Sequence, residues 1–313
     1  MQLFRTFNLP SKFLGSALAI GNFDGVHEGH LAVINKTKEI AKSNNTKLGV
    51  LTFEPHPKCF FKKQFENFRL TKFREKFLIF KDLKIDFMIN IKFDKSFVNI
   101  TAEDFIKTKL VEDLKVNHVI TGFDFVFGNK KSGDVELIKN FSKKTKKFNF
   151  FEVPEIKNKN SEISSSVIRG LLGTGKIAEA NKMLKRNWSI NANVIQGEKN
   201  GRRIGFKTAN LDINSYCSIA FGVYLVKIKI PKLCKNSFFG IANYGVKPTF
   251  DNHSPLLEVH IFNFNRNIYN VRIRVEFLNF IRHEKKFESL EKLRDQIIKD
   301  IKQAKNDRLF QNN

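Results

Sequence analysis

The sequence predicts an α/β first half on a parallel sheet, followed by an all-β half closed by one helix. Three observations carry that prediction. Up to about residue 156, short β-rich apolar runs alternate with helix-patterned segments. After Leu184 the helical periodicity gives way to short β-rich runs alone. The length, 313 residues, suffices for two domains at roughly 150 residues each.

In the first half the candidate strands are Leu14 to Ile20, Lys47 to Phe53, Asp86 to Phe93, His118 to Thr121 and Phe148 to Val153. Between them lie candidate helices at Leu31 to Ser43, Thr71 to Lys84, Thr101 to Leu114 and Gly133 to Lys144. Such alternation builds βαβ units and a sheet covered on both faces. Thr101 and Asp104 have the spacing of a helix-capping pair. In the second half the candidate strands are Asn193 to Gln196, Thr208 to Asp212, Val223 to Ile230, Phe238 to Asn243, Leu256 to Phe262 and Val271 to Phe277. A helix from Ser289 to about Leu309 follows, with Leu290, Leu293, Ile297, Ile301 and Ala304 near helical spacing. The expected domains are therefore 1–185 and 186–313, joined without a low-complexity linker.

Apolar residues make up 42% of the chain and Phe alone supplies 34 positions, which excludes a disordered chain. Lys and Arg (55) exceed Asp and Glu (31), for a net charge of +24. That excess has two readings: the lysine-rich composition of an AT-rich coding sequence, or attraction for anionic partners, small polyanionic substrates among them. The lysines are scattered in pairs and form no long block, and no nucleic-acid or membrane partner is expected. Three cysteines, Cys59, Cys217 and Cys234, are too few for a disulfide framework or a zinc pattern. No signal peptide or membrane-length apolar run is seen, so a cytoplasmic protein is expected.

The strongest chemical signal is Gly21-Asn22-Phe23-Asp24-Gly25-Val26-His27-Glu28-Gly29-His30, where a strand turns into a helix. Glycines permit a tight turn close to a ligand, and the helix start offers unpaired N–H groups to a phosphate. Two histidines three residues apart add donors for phosphoryl oxygens. In Thr52-Phe53-Glu54-Pro55-His56-Pro57, two prolines fix the backbone around His56, as either a site wall or a rigid loop. Gly122 to Gly133 follows another strand; Phe125 and Phe127 have a core reading as well as a site reading, whereas Asp124 and the glycines are harder to explain by packing. Ser164, Ser165 and Ser166 with Arg169 one turn later form a second phosphate cradle. In the second half, Gly197 to Phe206 is a glycine-spaced basic loop leading into Lys207-Thr208-Ala209-Asn210, readable as a phosphate loop or a hairpin connection. Strand alternation puts Leu257, Val259 and Ile261 on one face and Glu258 and His260 on the other.

Taken in order, these blocks resemble the bacterial bifunctional riboflavin kinase and FAD synthetase family over residues from about 14 to 306. His27-Glu28-Gly29-His30 is similar to the His-x-Gly-His core of the nucleotidyltransferase superfamily, and Ile163 to Arg169 to its Ile-Ser-Ser-Thr-x-Ile-Arg, with Ser166 for Thr. Gly201 to Asn210 resembles the kinase loop Gly-Arg-x-x-Gly-Phe-Pro-Thr-Ala-Asn. The resemblance implies a Rossmann-like nucleotidyltransferase domain and a Greek-key-like barrel, with riboflavin, FMN and ATP as substrates and Mg2+ as cofactor. It implies catalytic roles for His27, His30, Arg169 and Glu258, the last as base. Gly21, Asn22, Phe23, Asp24, Gly25, His56, Asp124, Phe127, Gly128, Ser164, Ser165 and Ser166 are implied to bind ATP or flavin in the first half. Gly201, Arg202, Gly205 and Arg282 are implied to do so in the second, with Thr208 and Asn210 at the metal. Lys207 departs from the family's proline and leaves two readings: a looser loop, or a different grip on ATP. Oligomeric state is left open.

Overall fold

Six parallel strands order themselves β1-β4-β3-β2-β5-β6 in the first half of the computed structural model, which describes residues 1–63, 68–158, 161–197, 205–233, 236–246 and 255–311. The strands are β1 (Gln2–Phe4), β2 (Ala17–Ile20), β3 (Leu48–Glu54), β4 (Phe87–Lys92), β5 (His118–Gly122) and β6 (Asn149–Val153). The apolar runs of the inner strands β2 to β5 are buried on both sides, as a parallel sheet requires, while the edge strands β1 and β6 are partly exposed. Leu18, Ile20, Leu51, Phe53, Ile89 and Ile91 pack into one face, and Ala17, Ala19, Val50 and Met88 into the other. The second face is covered by helices Glu28–Ser43 and Phe73–Asp82, through Val33, Ile34, Ile40 and Phe80.

Five of these strands match the expected ones. β1 is additional, pairing in parallel with β4 from Gln2↔Phe87 to Phe4↔Ile89. Three residues are too few for an alternation pattern to register. The helix expected over Thr101 to Leu114 starts as α-helix at Ala102–Asp104 and continues as π-helix through Phe105–Asp113. Its expected cap is present: Thr101 Oγ1 accepts from Asp104 N at 3.0 Å. A short hairpin, β7 (Lys157–Asn158) and β8 (Ser161–Glu162), follows the sheet.

The second half is a closed antiparallel barrel of six strands, in the order β10-β13-β12-β11-β14-β9. These are β9 (Ser189–Ile195), β10 (Ala209–Asp212), β11 (Gly222–Lys229), β12 (Ser237–Gly245), β13 (Leu256–Ile261) and β14 (Arg272–His283). β11, β12 and β13 form a meander, and β14 returns beside β11, which is a Greek key. Leu257, Val259, Tyr224 and Phe277 are buried within it, whereas Leu225 and Ile241 face outward and pack against Ala304, Ile297 and Ile301 of the closing helix. The closing helix, Leu290–Asn306, begins where expected, with Ser289 Oγ accepting from Lys292 N at 3.2 Å.

Residues group into two compact units, Met1–Ser165 and Ser166–Asn313. Helices Ser165–Gly173 and Ile177–Leu184 thus fall mainly with the barrel. Asn181 shows how the second is held: its Oδ1 accepts from Trp188 N at 2.6 Å and its Nδ2 donates to Phe277 O at 2.8 Å. Among the described residues no helix is long and apolar enough to cross a membrane.

Candidate active sites

In the first unit the connection from β2 leads toward β3 on one side, while β5 is followed by β6 on the other. A ligand crevice is expected outside the carboxyl ends of strands at such a reversal. The loops that follow these two strands are the Gly21 to His27 and Gly122 to Gly133 stretches.

The first of these loops is built largely from left-handed backbone: Phe23 has φ 50°, Gly25 85° and Val26 42°. Phe23 is buried, and its ring packs edge-on against His30 and Phe80, with centroids 5.2 Å and 5.7 Å away. His27 takes the N-cap position of helix Glu28–Ser43 in extended conformation. The His27 and His30 rings stack with centroids 3.7 Å apart and planes at 21°. Two imidazoles are therefore held together at a helix N-terminus, where anions are favoured.

Asp24 lies beneath the loop. Its carboxylate accepts from Leu70 N at 3.2 Å and Thr71 N at 3.1 Å, and its carbonyl accepts from Ser165 Oγ at 2.8 Å. Asp24 and Ser165, both expected to face the ligand, thus have internal bonds that fix the loop. His56 is buried and caps helix Pro57–Lys62, its Nδ1 accepting from Lys58 N at 3.1 Å, with Phe68 against its ring. Glu54, next to it, is paired with Arg69.

In the second loop Asp124 is exposed, whereas Phe125 and Phe127 stack at 5.4 Å and lean on the core. Gly128 has φ 74°, and a Cβ there would come within 2.7 Å of the Ala102 backbone. That glycine is required where the loop crosses a helix start. Ser164 is half-buried at the end of the first unit, while Ser166 and Arg169 belong to the second.

One residue near this site escaped sequence reasoning. Lys76 is fully buried, and its Nζ donates to Asn22 O at 2.7 Å and to Thr52 Oγ1 at 3.3 Å. A signal was present: Lys76 interrupts the apolar stripe Phe73, Phe77, Phe80 at helical spacing.

In the barrel, Glu258 sits opposite Asn210 on β10 and Asn243 on β12. The alternation expected of this strand holds, with Leu257, Val259 and Ile261 buried and Glu258 and His260 on the other face. A cleft of about 360 Å³ opens there, lined by Thr208, Asn243, Glu258, His260, Arg282 and Phe287, with Leu290, Leu293 and Ile297 of the closing helix beside them. Asn210 is buried, and its Oδ1 has no hydrogen-bond partner among the described residues.

His260 Nδ1 lies 2.9 Å from Lys207 O, and since a carbonyl only accepts, that nitrogen donates. The Lys207 ammonium donates to Asn265 Oδ1. Lys207 is therefore tethered at both ends. Gly205 has φ 88°, while Gly201 and Arg202 lie outside the described residues, as do 247–250.

Arg282 lines the cleft, but its guanidinium is bound to Asp300 of the closing helix. Gln296 Nε2 also donates to Asp300, at 2.8 Å. Nearby, burial pushes the Glu284 carboxyl up from its ordinary value, against the opposing pull of Arg282.

Comparison with known proteins accounts for both halves. The family model described as FAD synthetase matches residues 10–167, and the riboflavin kinase model matches residues 184–307. A bifunctional riboflavin kinase/FMN adenylyltransferase of Buchnera aphidicola (subsp. Schizaphis graminum) is 40% identical, over 95% of this chain and 96% of its own. That of Haemophilus influenzae is 37% identical over 97% and 98%, and that of Escherichia coli K12 34% over 91% and 90%. A Streptococcus pneumoniae crystal structure titled as a macrolide-efflux protein is similar over 98% of this chain and 99% of its own, with a TM-score of 0.85 and 27% identity.

Proposed function

Because the chain belongs to the bifunctional riboflavin kinase/FMN adenylyltransferase family, we propose that FMN adenylylation takes place around His27 and His30 and riboflavin phosphorylation around Glu258. The chain's overall activity follows from the family: riboflavin and ATP give FMN, and FMN and a second ATP give FAD and pyrophosphate. We assign residues 1–185 to the second reaction and 186–313 to the first. The observation that carries the assignment is the stacked pair His27 and His30, at a helix start beside the sheet's topological reversal.

Adenylyl transfer needs no protein nucleophile. The FMN phosphate attacks the α-phosphorus of ATP in line; His27 and His30 stabilise the charge that builds on its oxygens, and Arg169 with Ser164 and Ser166 holds the departing pyrophosphate. Gly21, Asn22, Phe23 and Gly25 shape the phosphate loop, which Asp24 and Ser165 brace. The stretch from Asp124 to Gly128, with Phe127, forms the flavin side, with His56 as a fixed wall.

In the kinase half Glu258 takes the proton from the 5′ hydroxyl of riboflavin as that oxygen attacks the γ-phosphorus. Magnesium fits this site, because the buried Asn210 Oδ1 is a hard oxygen with no partner among the described residues. Thr208 and Asn210 would hold the ion, which supplies charge neutralisation on the phosphate oxygens. Gly201, Arg202 and Gly205 belong to the loop over those phosphates, and Arg282 frames the flavin side from its bond to Asp300.

We place the enzyme in the cytoplasm, acting on small molecules without a nucleic-acid or membrane partner. The test is a time course with riboflavin, ATP and magnesium in which the flavins are separated. FMN is expected to appear first and FAD after it. FAD made only from supplied FMN would instead mark a single-activity adenylyltransferase.

A further inference from the structure

A fully buried lysine amine calls for an explanation, because removing an ammonium from water costs several kcal/mol and a methionine would fill the same apolar stripe. Lys76 Nζ donates to Asn22 O at 2.7 Å, and Thr52 Oγ1 donates to the same oxygen at 3.1 Å. Both donors lie on the sheet side of the loop, Lys76 from helix Phe73–Asp82 and Thr52 from β3. They turn the Asn22 carbonyl inward.

A planar trans peptide points its N–H opposite to its C=O. The Phe23 N–H is therefore directed away from Lys76, and no acceptor among the described residues takes it. Phe23 itself has φ 50°, a left-handed turn that carries its N–H to one side of the loop, while the Val26 N–H is taken by Phe23 O at 3.3 Å. We propose that Lys76 is a positioning residue of the adenylyl-transfer site, turning the Asn22–Phe23 peptide so that its N–H faces the nucleotide phosphates. This rests on the reading of Gly21 to His30 as that site.

The charged groups around Lys76 come from three elements: Arg69 from the segment before its helix, Glu54 from the end of β3 and Asp24 from the loop. Burial lowers the Lys76 ammonium to about 8, with Arg69 adding to that and Glu54 and Asp24 opposing it. The positive charge behind the loop is thus lost as pH rises through that value.

The experiment follows FAD formation from FMN and ATP with magnesium across that pH range, for the full-length wild type and for Lys76→Met, with riboflavin phosphorylation measured in the same preparations. In the wild type, kcat for FAD formation is expected to fall as pH rises through about 8, a step the kinase reaction does not share. In Lys76→Met, kcat for FAD formation is expected to drop about 100-fold, the scale for a small misplacement of reacting groups, with no alkaline limb. Its KM for FMN and its kinase rate are expected to stay at wild-type values.

A Lys76→Met variant with wild-type kcat would overturn the proposal. Should Lys76→Met fail to fold, Thr52→Val decides. That variant removes the other donor to Asn22 O and is expected to lower kcat while keeping the alkaline limb; an unchanged kcat counts against the proposal. His30→Ala separates the two levels: FAD formation surviving that change sinks the site itself, whereas loss in His30→Ala beside a neutral Lys76→Met sinks only the role of Lys76.

Discussion

Arg282 on β14 grips Asp300 on the closing helix with two prongs, Nε 2.8 Å from Oδ1 and Nη2 2.7 Å from Oδ2, and Asp300 is only 1% exposed. Taking away the guanidinium would leave a buried carboxylate without its counter-charge. Arg282→Met is expected to destabilise the barrel by about 3 to 5 kcal/mol, as for other broken buried pairs. Replacing both partners, Arg282→Met with Asp300→Leu, is expected to recover most of that loss. Denaturant titration of the two variants checks it; a single variant as stable as wild type would show that water already compensates Asp300.

His30→Ala is expected to lower FAD formation by about 100- to 1000-fold, the range for removing one donor to a developing anionic charge. FMN formation should continue, because the barrel carries its own cleft. Flavins separated by chromatography after incubation with riboflavin and ATP provide the readout: FMN should accumulate. Loss of both activities in a folded variant would contradict two independent sites.

Glu258→Gln should give the mirror image. The amide keeps the size of the side chain but cannot accept the hydroxyl proton, so FMN formation is expected to fall by about 100- to 10,000-fold. FAD should still form from supplied FMN. A kinase rate within the wild-type range would remove Glu258 as the base.

Gly197→Ala tests the metal end of the same site. A Cβ at residue 197 would stand 2.1 Å from Asn210 Nδ2, so the Asn210 amide must move. Kinase activity is expected to fall and to recover in part as magnesium is raised, because a displaced ligand weakens ion binding before it alters the base. Magnesium titration of both activities checks this; equal losses in FAD formation would point to general misfolding.

Much of this molecule was legible before its structure. Alternating runs marked the five inner and outer strands β2 to β6, since a buried parallel strand leaves a dense apolar string, and Leu257, Val259 and Ile261 showed the inward face of β13 by period alone. Less was legible where the meaning lies in a partner distant in sequence. Nothing local says that Asp24 accepts from Leu70 and Thr71, or that Arg282 belongs to Asp300. Prolines on either side of His56 leave both a site wall and a rigid loop open, and do not reveal that one of them opens the helix that His56 caps. Lys76 shows the same limit from the other side: a lysine in a lysine-rich chain draws no attention until its burial is known.

Burial of that lysine also makes a stability prediction whose sign runs opposite to that of an ordinary ion pair. Its value falls from 10.5 to about 8 on folding, which corresponds to roughly 3 kcal/mol against the folded state. Below about 8 both states hold the proton and the whole penalty is present; between about 8 and 10.5 the unfolded chain holds a proton the folded chain has released, so stability rises with pH. Lys76→Met removes the penalty together with two hydrogen bonds worth about 1 kcal/mol each, while Thr52 still donates to the Asn22 carbonyl. The first unit of the variant is therefore expected to be more stable than wild type by about 1 kcal/mol at neutral pH. That lead should vanish and reverse sign as pH rises from about 8 toward 10.5. Denaturation midpoints measured at several pH values decide the matter. A variant less stable than wild type at neutral pH, by a margin that does not vary with pH, would mean that the ammonium is stabilised where it sits and that no stability has been given up for loop geometry.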